Sequence, residues 1–413
     1  MDKPPLIRRV VIHNYKSIEK CDVNLGKFNV FVGRNGSGKS NFLDALQFVA
    51  DCLTMTSVTK ALESRGRIED VIRQSEDVLR QSVDHPSGFR IELSIQLPDS
   101  KVEYHVEFAA EQEGGCVVQK ESLWAVGPDP NAPLELMFSC DSVGVRVPSQ
   151  SDMIFPEVIK DHHSRFKDRL FLAIASFHPP FHPVYAALSS LKVYNPIPAP
   201  MRLFSSPLAA NVLCEDGSNL TTAVSRMSRK REVTLARIVE YLSQIIPGLV
   251  SVNPLNIGGY EILEFEQQVP GKSRLRKFQS RNMSDGTLRS LAVLVAALQF
   301  SQQPDSSHVI GIEEPETAIH PAAMAVLLDA LREASVNNQI LITTHSPDLL
   351  DLVDIDTDSL FAVSDTTGTT VIEPIDDASV MAIRKHLYTA GDLLRMDQLE
   401  PRSVHTIPET VPE

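Results

Sequence analysis

Three observations predict an α/β P-loop nucleotide-binding fold. The apolar run Phe28-Asn29-Val30-Phe31-Val32 leads directly into Gly33-Arg34-Asn35-Gly36-Ser37-Gly38-Lys39-Ser40, and an amphipathic stretch over residues 41–51 follows. Much later, His308-Val309-Ile310-Gly311-Ile312 ends in Glu313-Glu314, and Leu341-Ile342 ends in Thr343-Thr344-His345. Helical periodicities separate these runs, so two distant β/α blocks are expected to build one sheet system.

Each element has a local reason. In residues 33–40 the glycines let successive backbone N–H groups curl around a triphosphate, Lys39 reaches the outer phosphates and the Ser40 hydroxyl reaches Mg²⁺. Gly33, Arg34, Asn35, Gly36, Ser37, Gly38, Lys39, Ser40 and Asn41 are therefore the expected nucleotide-binding residues, with ATP and Mg²⁺ as cofactors. The first third otherwise alternates β-branched runs with polar turns, including a hairpin from residues 90–97 and 102–108 around Pro98-Asp99-Ser100. Residues 111–254 carry scattered prolines and helical segments such as 234–246, and read as a mostly helical insertion. After Gly258-Gly259 the pattern resumes with a strand at 260–266, a helix at 285–300, a strand at 309–312, a helix at 322–334 and a strand at 339–343. A second hairpin is expected from 359–363 and 370–374, and the Pro-rich residues 401–413 read as a disordered tail.

The strand ends carry the chemistry. Glu313 is placed to hold the Mg²⁺ shell and Glu314, turned the other way if the strand continues, to polarise the attacking water. Two adjacent glutamates are ordinarily a solvated turn; following a buried strand in a P-loop chain changes that reading. His345 is placed where an imidazole contacts a γ-phosphate or the water, the structural alternative being a strand-end His with no such role. Met283-Ser284-Asp285-Gly286-Thr287 opens an apolar helix, so Ser284 reads as an N-cap with free N–H groups behind it.

Whole-chain properties narrow the classes. With 413 residues and 43% hydrophobic content the chain can bury a large core, and a net charge of −14 excludes nucleic-acid binding over the whole surface while leaving room for a regional basic patch. Five dispersed cysteines (Cys21, Cys52, Cys116, Cys140, Cys214) form no C-x-x-C pair, which fits a reducing cytoplasm. No apolar signal core opens the chain, and the longest apolar stretch, residues 291–298, is too short to span a bilayer.

In this order, the phosphate loop, Ser284-Asp285-Gly286-Thr287, Ile312-Glu313-Glu314-Pro315-Glu316-Thr317-Ala318-Ile319-His320-Pro321 and Thr343-Thr344-His345-Ser346-Pro347 resemble the ABC-type ATPase heads of the RecF/SMC-like class. More closely, the chain resembles stand-alone AAA-type ATPases of bacterial phage-defence and toxin-like modules, relatives of the OLD-family ATPase domain without its Toprim part. Ile12-His13-Asn14-Tyr15-Lys16-Ser17-Ile18 resembles the opening strand and loop of that family. The resemblance implies an ABC-type head divided as 1–110 and 255–400 around the 111–254 insertion. It implies Lys39 and Ser40 on phosphate and Mg²⁺, Glu313 as Walker B acid, Glu314 as catalytic base, His345 as switch histidine, and Ser284 and Gly286 acting on nucleotide held by a second head. Asp285 departs from transporter-type signatures. The loop glutamine of the family has two candidates, Gln74 and Gln81.

The implied function is an ATP-hydrolysing switch that dimerises head to head, as a homodimer or higher assembly, and couples turnover to DNA sensing or to a separate effector, a nuclease or toxin, in phage defence or DNA repair. The alternatives are the nucleotide-binding subunit of a transporter and a low-turnover ATP-dependent scaffold. Asp354-Ile355-Asp356, Asp161-His162-His163, and His178 with His182 match metal-site spellings without the partners such sites need. Two basic clusters, Arg226, Arg229, Lys230, Arg231, Arg237 and Lys272, Arg274, Arg276, Lys277, Arg281, are candidate ports for DNA or an acidic partner, the alternative being solvated faces.

Overall fold

A computed structural model describes residues 6–66, 68–72, 88–98, 100–110, 115–126, 134–148, 167–206, 212–269, 271, 274–301, 307–355, 358–366 and 368–402. Strands β1 (Leu6–Tyr15) and β2 (Ile18–Asn24) form a hairpin that joins an antiparallel sheet. Strand β3 (Phe28–Val32) belongs to a second sheet, and helix α1 (Lys39–Thr54) follows its phosphate loop. Strands β4 (Gly88–Gln96) and β5 (Lys101–Ala110) pair as the expected hairpin.

The antiparallel sheet does not stop at residue 111. β6 (Cys116–Val126), β7 (Glu135–Asp141) and β8 (Gly144–Arg146) continue it, giving the order β2-β1-β4-β5-β6-β7-β8. The first part of the expected helical insertion is therefore sheet. Its alternating residues, Val118, Leu123 and Phe138 among them, face the same core as β1, β4 and β5, and that apolar alternation was outweighed by the polar and Pro-rich stretches between strands. A short strand, β9 (Lys192–Tyr194), also lies inside the expected insertion yet pairs with the nucleotide-site sheet.

Further along the insertion the longer helices among the described residues are α2 (Leu220–Lys230) and α3 (Glu232–Ile245). Next come β10 (Leu249–Ile257), β11 (Tyr260–Gln267) and β12 (Arg276–Gln279), a small antiparallel sheet, and α4 (Asp285–Leu298). β13 (Val309–Glu313), α5 (Pro321–Ser335), β14 (Gln339–Thr344), β15 (Ser359–Thr366) and β16 (Thr369–Pro374) finish the second sheet, ordered β16-β15-β3-β14-β13-β9. All its pairings are parallel except the β15–β16 hairpin at the edge.

Strand pleat partitions this sheet between two cores. Phe31, Leu341 and Val309 point toward α1 and the antiparallel sheet, whereas Val30, Val32, Ile340, Ile342, Ile310 and Ile312 point toward α4 and α5. Burial on both faces explains why these strands read as continuous apolar runs. Burial of such runs is favourable by roughly 25 cal/mol per Å² of apolar surface. α4, buried along nearly its whole length, is the centre of the second core.

Polar side chains join the layers. Gln339 opens β14, accepts from the Ile7 N–H at 3.0 Å and donates to the carbonyls of Ile7 at 2.8 Å and Gly26 at 2.7 Å, tying the two large sheets together. Asp44 on α1 accepts from the Tyr15 hydroxyl at 2.6 Å and Arg65 at 2.7 Å and pairs with Lys16 at 2.6 Å, fixing the helix against the end of β1. Glu121, fully buried on β6, accepts from the Tyr104 hydroxyl at 2.9 Å and the Leu172 N–H at 3.0 Å, and from the Phe171 N–H, holding the start of helix Phe171–Ala175. Among the described residues no helix is long and apolar enough to cross a membrane.

Burial pushes the Glu121 carboxyl up to about 7 despite those donors. An acid raised above its unfolded value binds more protons in the folded state, so its contribution is fully present below about pH 4.5 and is lost as pH rises through about 7. Urea unfolding is expected to show stability falling by up to about 3 kcal/mol between pH 5 and 8 from this group, and Glu121→Gln is expected to flatten that slope while lowering stability at pH 5.

Candidate functional site

In the phosphate loop, Gly36 and Gly38 take φ of 83° and 99°, a left-handed geometry that a side chain strains. A Cβ at Gly38 would sit 2.0 Å from Thr370 Oγ1, and one at Gly33 would sit 2.0 Å from the Val363 carbonyl oxygen. The loop is thus pressed between α1 and the β15–β16 hairpin, and its glycines are steric requirements. Lys39 is 5% exposed, and its ammonium donates to the carbonyls of Gly33 at 2.7 Å and Arg34 at 2.8 Å. Burial lowers its pKa, and the fields of Glu314, Glu316 and Glu313 oppose that shift. Asn41 reaches Ser17 Oγ at 2.6 Å, Ser17 contacts Thr370 at 2.6 Å, and Thr370 donates to the Ser37 carbonyl at 2.9 Å. Arg34 is exposed and paired with Asp397.

Glu313 ends β13, where its carboxylate accepts from Asn195 Nδ2 at 3.0 Å. Burial raises its pKa. The Ser40 side chain opposes that shift, so the two groups expected at Mg²⁺ are neighbours, and a hydroxyl beside a carboxylate is a donor set suited to that hard cation. Among the described residues no cluster of three or more His, Cys, Asp or Glu could hold a metal ion.

Glu314 reaches its position differently from the sequence expectation. The strand ends at Glu313, and Glu314 turns by adopting φ of 42°, an uncommon value for a residue with a side chain. Its N–H donates to the Thr343 carbonyl at 3.0 Å, and its carboxylate lies 3.0 Å from His345 Nδ1. Strained backbone of this kind persists where neighbours over-determine it. Here the neighbours are the ends of β13 and β14.

Three residues at this edge were not singled out by sequence reasoning. Arg289 of α4, 7% exposed, donates to the carbonyls of Pro196 at 2.6 Å, Glu313 at 3.0 Å and Glu314 at 3.2 Å. Burial lowers its pKa, with the three nearby glutamates opposing. Its signal was a single cation within an apolar helix. Asn195 sits just past β9, in a stretch read as insertion. Glu316, 5% exposed, accepts from Thr344 Oγ1 at 2.5 Å, its other oxygen is buried with no hydrogen-bond partner, and burial raises its pKa.

Ser284 caps α4 by accepting from the Thr287 N–H at 3.2 Å, as expected of an N-cap. A Cβ at Gly286 would lie 2.2 Å from the Ala318 carbonyl oxygen, so this helix start is pressed onto the loop after β13. The described contacts of Ser284 and Gly286 thus lead to Thr287 and Ala318, and the structure does not join them to the phosphate loop of the same chain. Asp285 is paired with Arg202.

Three members of the basic clusters are paired with acids. Arg229 pairs with buried Glu261 at 2.9 Å, Arg237 with Glu240 at 2.6 Å and Glu333 at 2.5 Å, and Lys277 with Glu264 at 2.7 Å and Glu266 at 2.9 Å. Their sequence spacing concealed acids supplied by neighbouring strands and helices. Gln74, Gln81, Lys272, Asp161, His162, His163 and Asp356 lie outside the described residues, as does most of the 401–413 tail.

Residues 6–174 match the family described as AAA ATPase domain, and residues 258–351 match the one described as AAA domain, putative AbiEii toxin, Type IV TA system. An ATP/GTP phosphatase of Helicobacter pylori is 21% identical over 361 residues, 84% of this chain and 88% of that one. The DNA replication and repair protein RecF of Bacteroides fragilis is 44% identical over 48 residues, 11% of this chain and only 13% of the RecF length. Among solved structures, an Smc head bound to the C-winged helix domain of ScpA superposes with a TM-score of 0.52 at 17% identity, covering 91% of this chain and 99% of that one. The expected ABC-type head is the fold present.

Thr344→Val removes the hydroxyl that serves buried Glu316 and also accepts from the Ser346 N–H at 3.0 Å. Denaturant unfolding is expected to show a loss of about 1–3 kcal/mol, the cost of a buried polar group left unsatisfied.

Proposed function

We propose that the chain is a RecF/SMC-like AAA ATPase that works as an ATP-driven switch whose two states differ in how two heads associate. The observation that carries this reading is the convergence of Lys39, the Asn195-bound carboxylate of Glu313 and the Glu314–His345 contact at one sheet edge. Lys39 takes the outer phosphates, exchanging two loop carbonyls for a stronger charge-assisted partner. Ser40 and Glu313 hold Mg²⁺, which when bound supplies charge neutralisation between the phosphates. Glu314 accepts the proton of the water that attacks the γ-phosphorus, the bond to the bridging oxygen breaks, and ADP is the leaving group. His345 orients the Glu314 carboxylate and moves with the γ-phosphate.

Ser284 and Gly286 present the α4 N-terminus to nucleotide held by a second copy. Free N–H groups and the positive end of the helix dipole favour a γ-phosphate there over its absence. ATP then has a differential affinity for the associated state, which is what a switch requires. The names of the matched families and relatives support the outer context, DNA replication and repair on one side and toxin–antitoxin modules on the other. DNA, or a separate nuclease or toxin in a phage-defence setting, is the proposed partner, and the cytoplasm the proposed location.

Light scattering of wild type and Glu314→Gln, with and without Mg·ATP, tests this together with phosphate release. ATP is expected to drive self-association, more persistently in Glu314→Gln, whose turnover falls by about 10²–10⁴-fold. Hydrolysis with no ATP-dependent association in either protein removes the proposed trans role of Ser284 and Gly286.

A further inference from the structure

The loop between β13 and α5 holds two residues with side chains in left-handed backbone, Glu314 at φ of 42° and Ala318 at φ of 63°. Between them Glu316 is buried, although its neighbours Thr317 and Ala318 are exposed. A carboxylate is rarely taken out of water without full compensation. Glu316 accepts from Thr344 Oγ1 at 2.5 Å, and its second oxygen is buried with no hydrogen-bond partner. Such placement is destabilising, and what offsets it has to be sought in the neighbouring chemistry.

We propose that Glu316 is a positioning residue for ATP hydrolysis, acting through Glu314 and His345; the proposal rests on the reading of Glu314 as the base. Chain and hydrogen bonds close a ring here. Glu314 Oε1 lies 3.0 Å from His345 Nδ1, a peptide bond joins His345 to Thr344, and Thr344 Oγ1 donates to Glu316. Pro315, buried and fixed in φ, returns the chain to Glu314. The Glu314 N–H donates to the Thr343 carbonyl at 3.0 Å, which anchors the ring on the end of β14.

The Thr344 hydroxyl has a set polarity in this ring. A carboxylate accepts, so the hydroxyl hydrogen is directed at Glu316 and a lone pair is left for the Ser346 N–H at 3.0 Å. Both chain neighbours of His345 are thereby held by way of one acid. Thr317, next to Glu316, donates to the other Glu314 oxygen at 3.4 Å. Without the Glu316 acceptor the hydroxyl is free to turn, and the imidazole and the Glu314 carboxylate lose their common reference. The water held by Glu314 is then misplaced, while the phosphate loop between β3 and α1 keeps its own contacts.

Steady-state hydrolysis and Mg·ATP binding by the full chain test this. Glu316→Ala is expected to lower kcat by about 10–100-fold with KM and the Kd for Mg·ATP unchanged, and Glu316→Gln, which restores an acceptor, to recover most of that loss. Thr344→Val and Thr344→Ser read the same link from its other end: the first is expected to lose rate and the second, keeping the hydroxyl, to recover most of it. Added to Glu314→Gln, Glu316→Ala is expected to change the residual rate by less than about twofold, because the group it positions is already gone. Unchanged kcat in folded Glu316→Ala, a matching rise in the Kd for Mg·ATP, or a full further loss on top of Glu314→Gln overturns the proposal. A shift of the denaturation midpoint with kcat per folded molecule unchanged makes Glu316 a structural anchor only and overturns it as well. If wild type and Glu314→Gln hydrolyse ATP equally, the reading of Glu314 as base fails and the role of Glu316 falls with it.

Discussion

Glu313 lies opposite Thr343, and Thr343 opposite Phe31, in three adjacent parallel strands whose ends coincide. Everything chemical in this molecule depends on that register. A parallel sheet delivers the carboxyl ends of its strands to a single edge, and in-register pairing sets the phosphate loop, the two glutamates and His345 side by side although nearly the whole chain separates them. A slip of one residue would turn Val30, Ile312 and Ile342 out of their core, so the hydrophobic partition of the sheet is also what holds the site in alignment.

A second consequence concerns the loop after β13. One side of it meets Gly286 at the start of α4, where no Cβ fits, and the other meets Thr344 through Glu316. Arg289, from the same helix, binds the carbonyls of Glu313 and Glu314. The segment that positions Glu314 is therefore held by α4 and by the end of β14 together. Displacement of the α4 N-terminus has a short mechanical route to the glutamate that the proposed mechanism uses as a base.

Much of this was legible in the sequence because the signals were local. The glycines of the phosphate loop, the apolar runs β13 and β14 and the Ser284 cap each follow from a few consecutive residues. What was missed depends on tertiary partners. β6–β8 were obscured by the polar and Pro-rich stretches between them, β9 is three residues long, and nothing near Asn195 in sequence indicates Glu313. Arg229, Arg237 and Lys277 looked free because Glu261, Glu333 and Glu264 lie on other elements, and Glu314 was expected on a continuing strand because nothing local announces a left-handed turn at a glutamate.

The most direct test of the account is a crystal structure of Glu314→Gln with Mg·ATP. The account predicts the γ-phosphate bounded by Lys39, residue 314 and His345, with the ion on Ser40 and Glu313. A nucleotide bound away from the ends of β3, β13 and β14, or an ion that touches neither Ser40 nor Glu313, would contradict it.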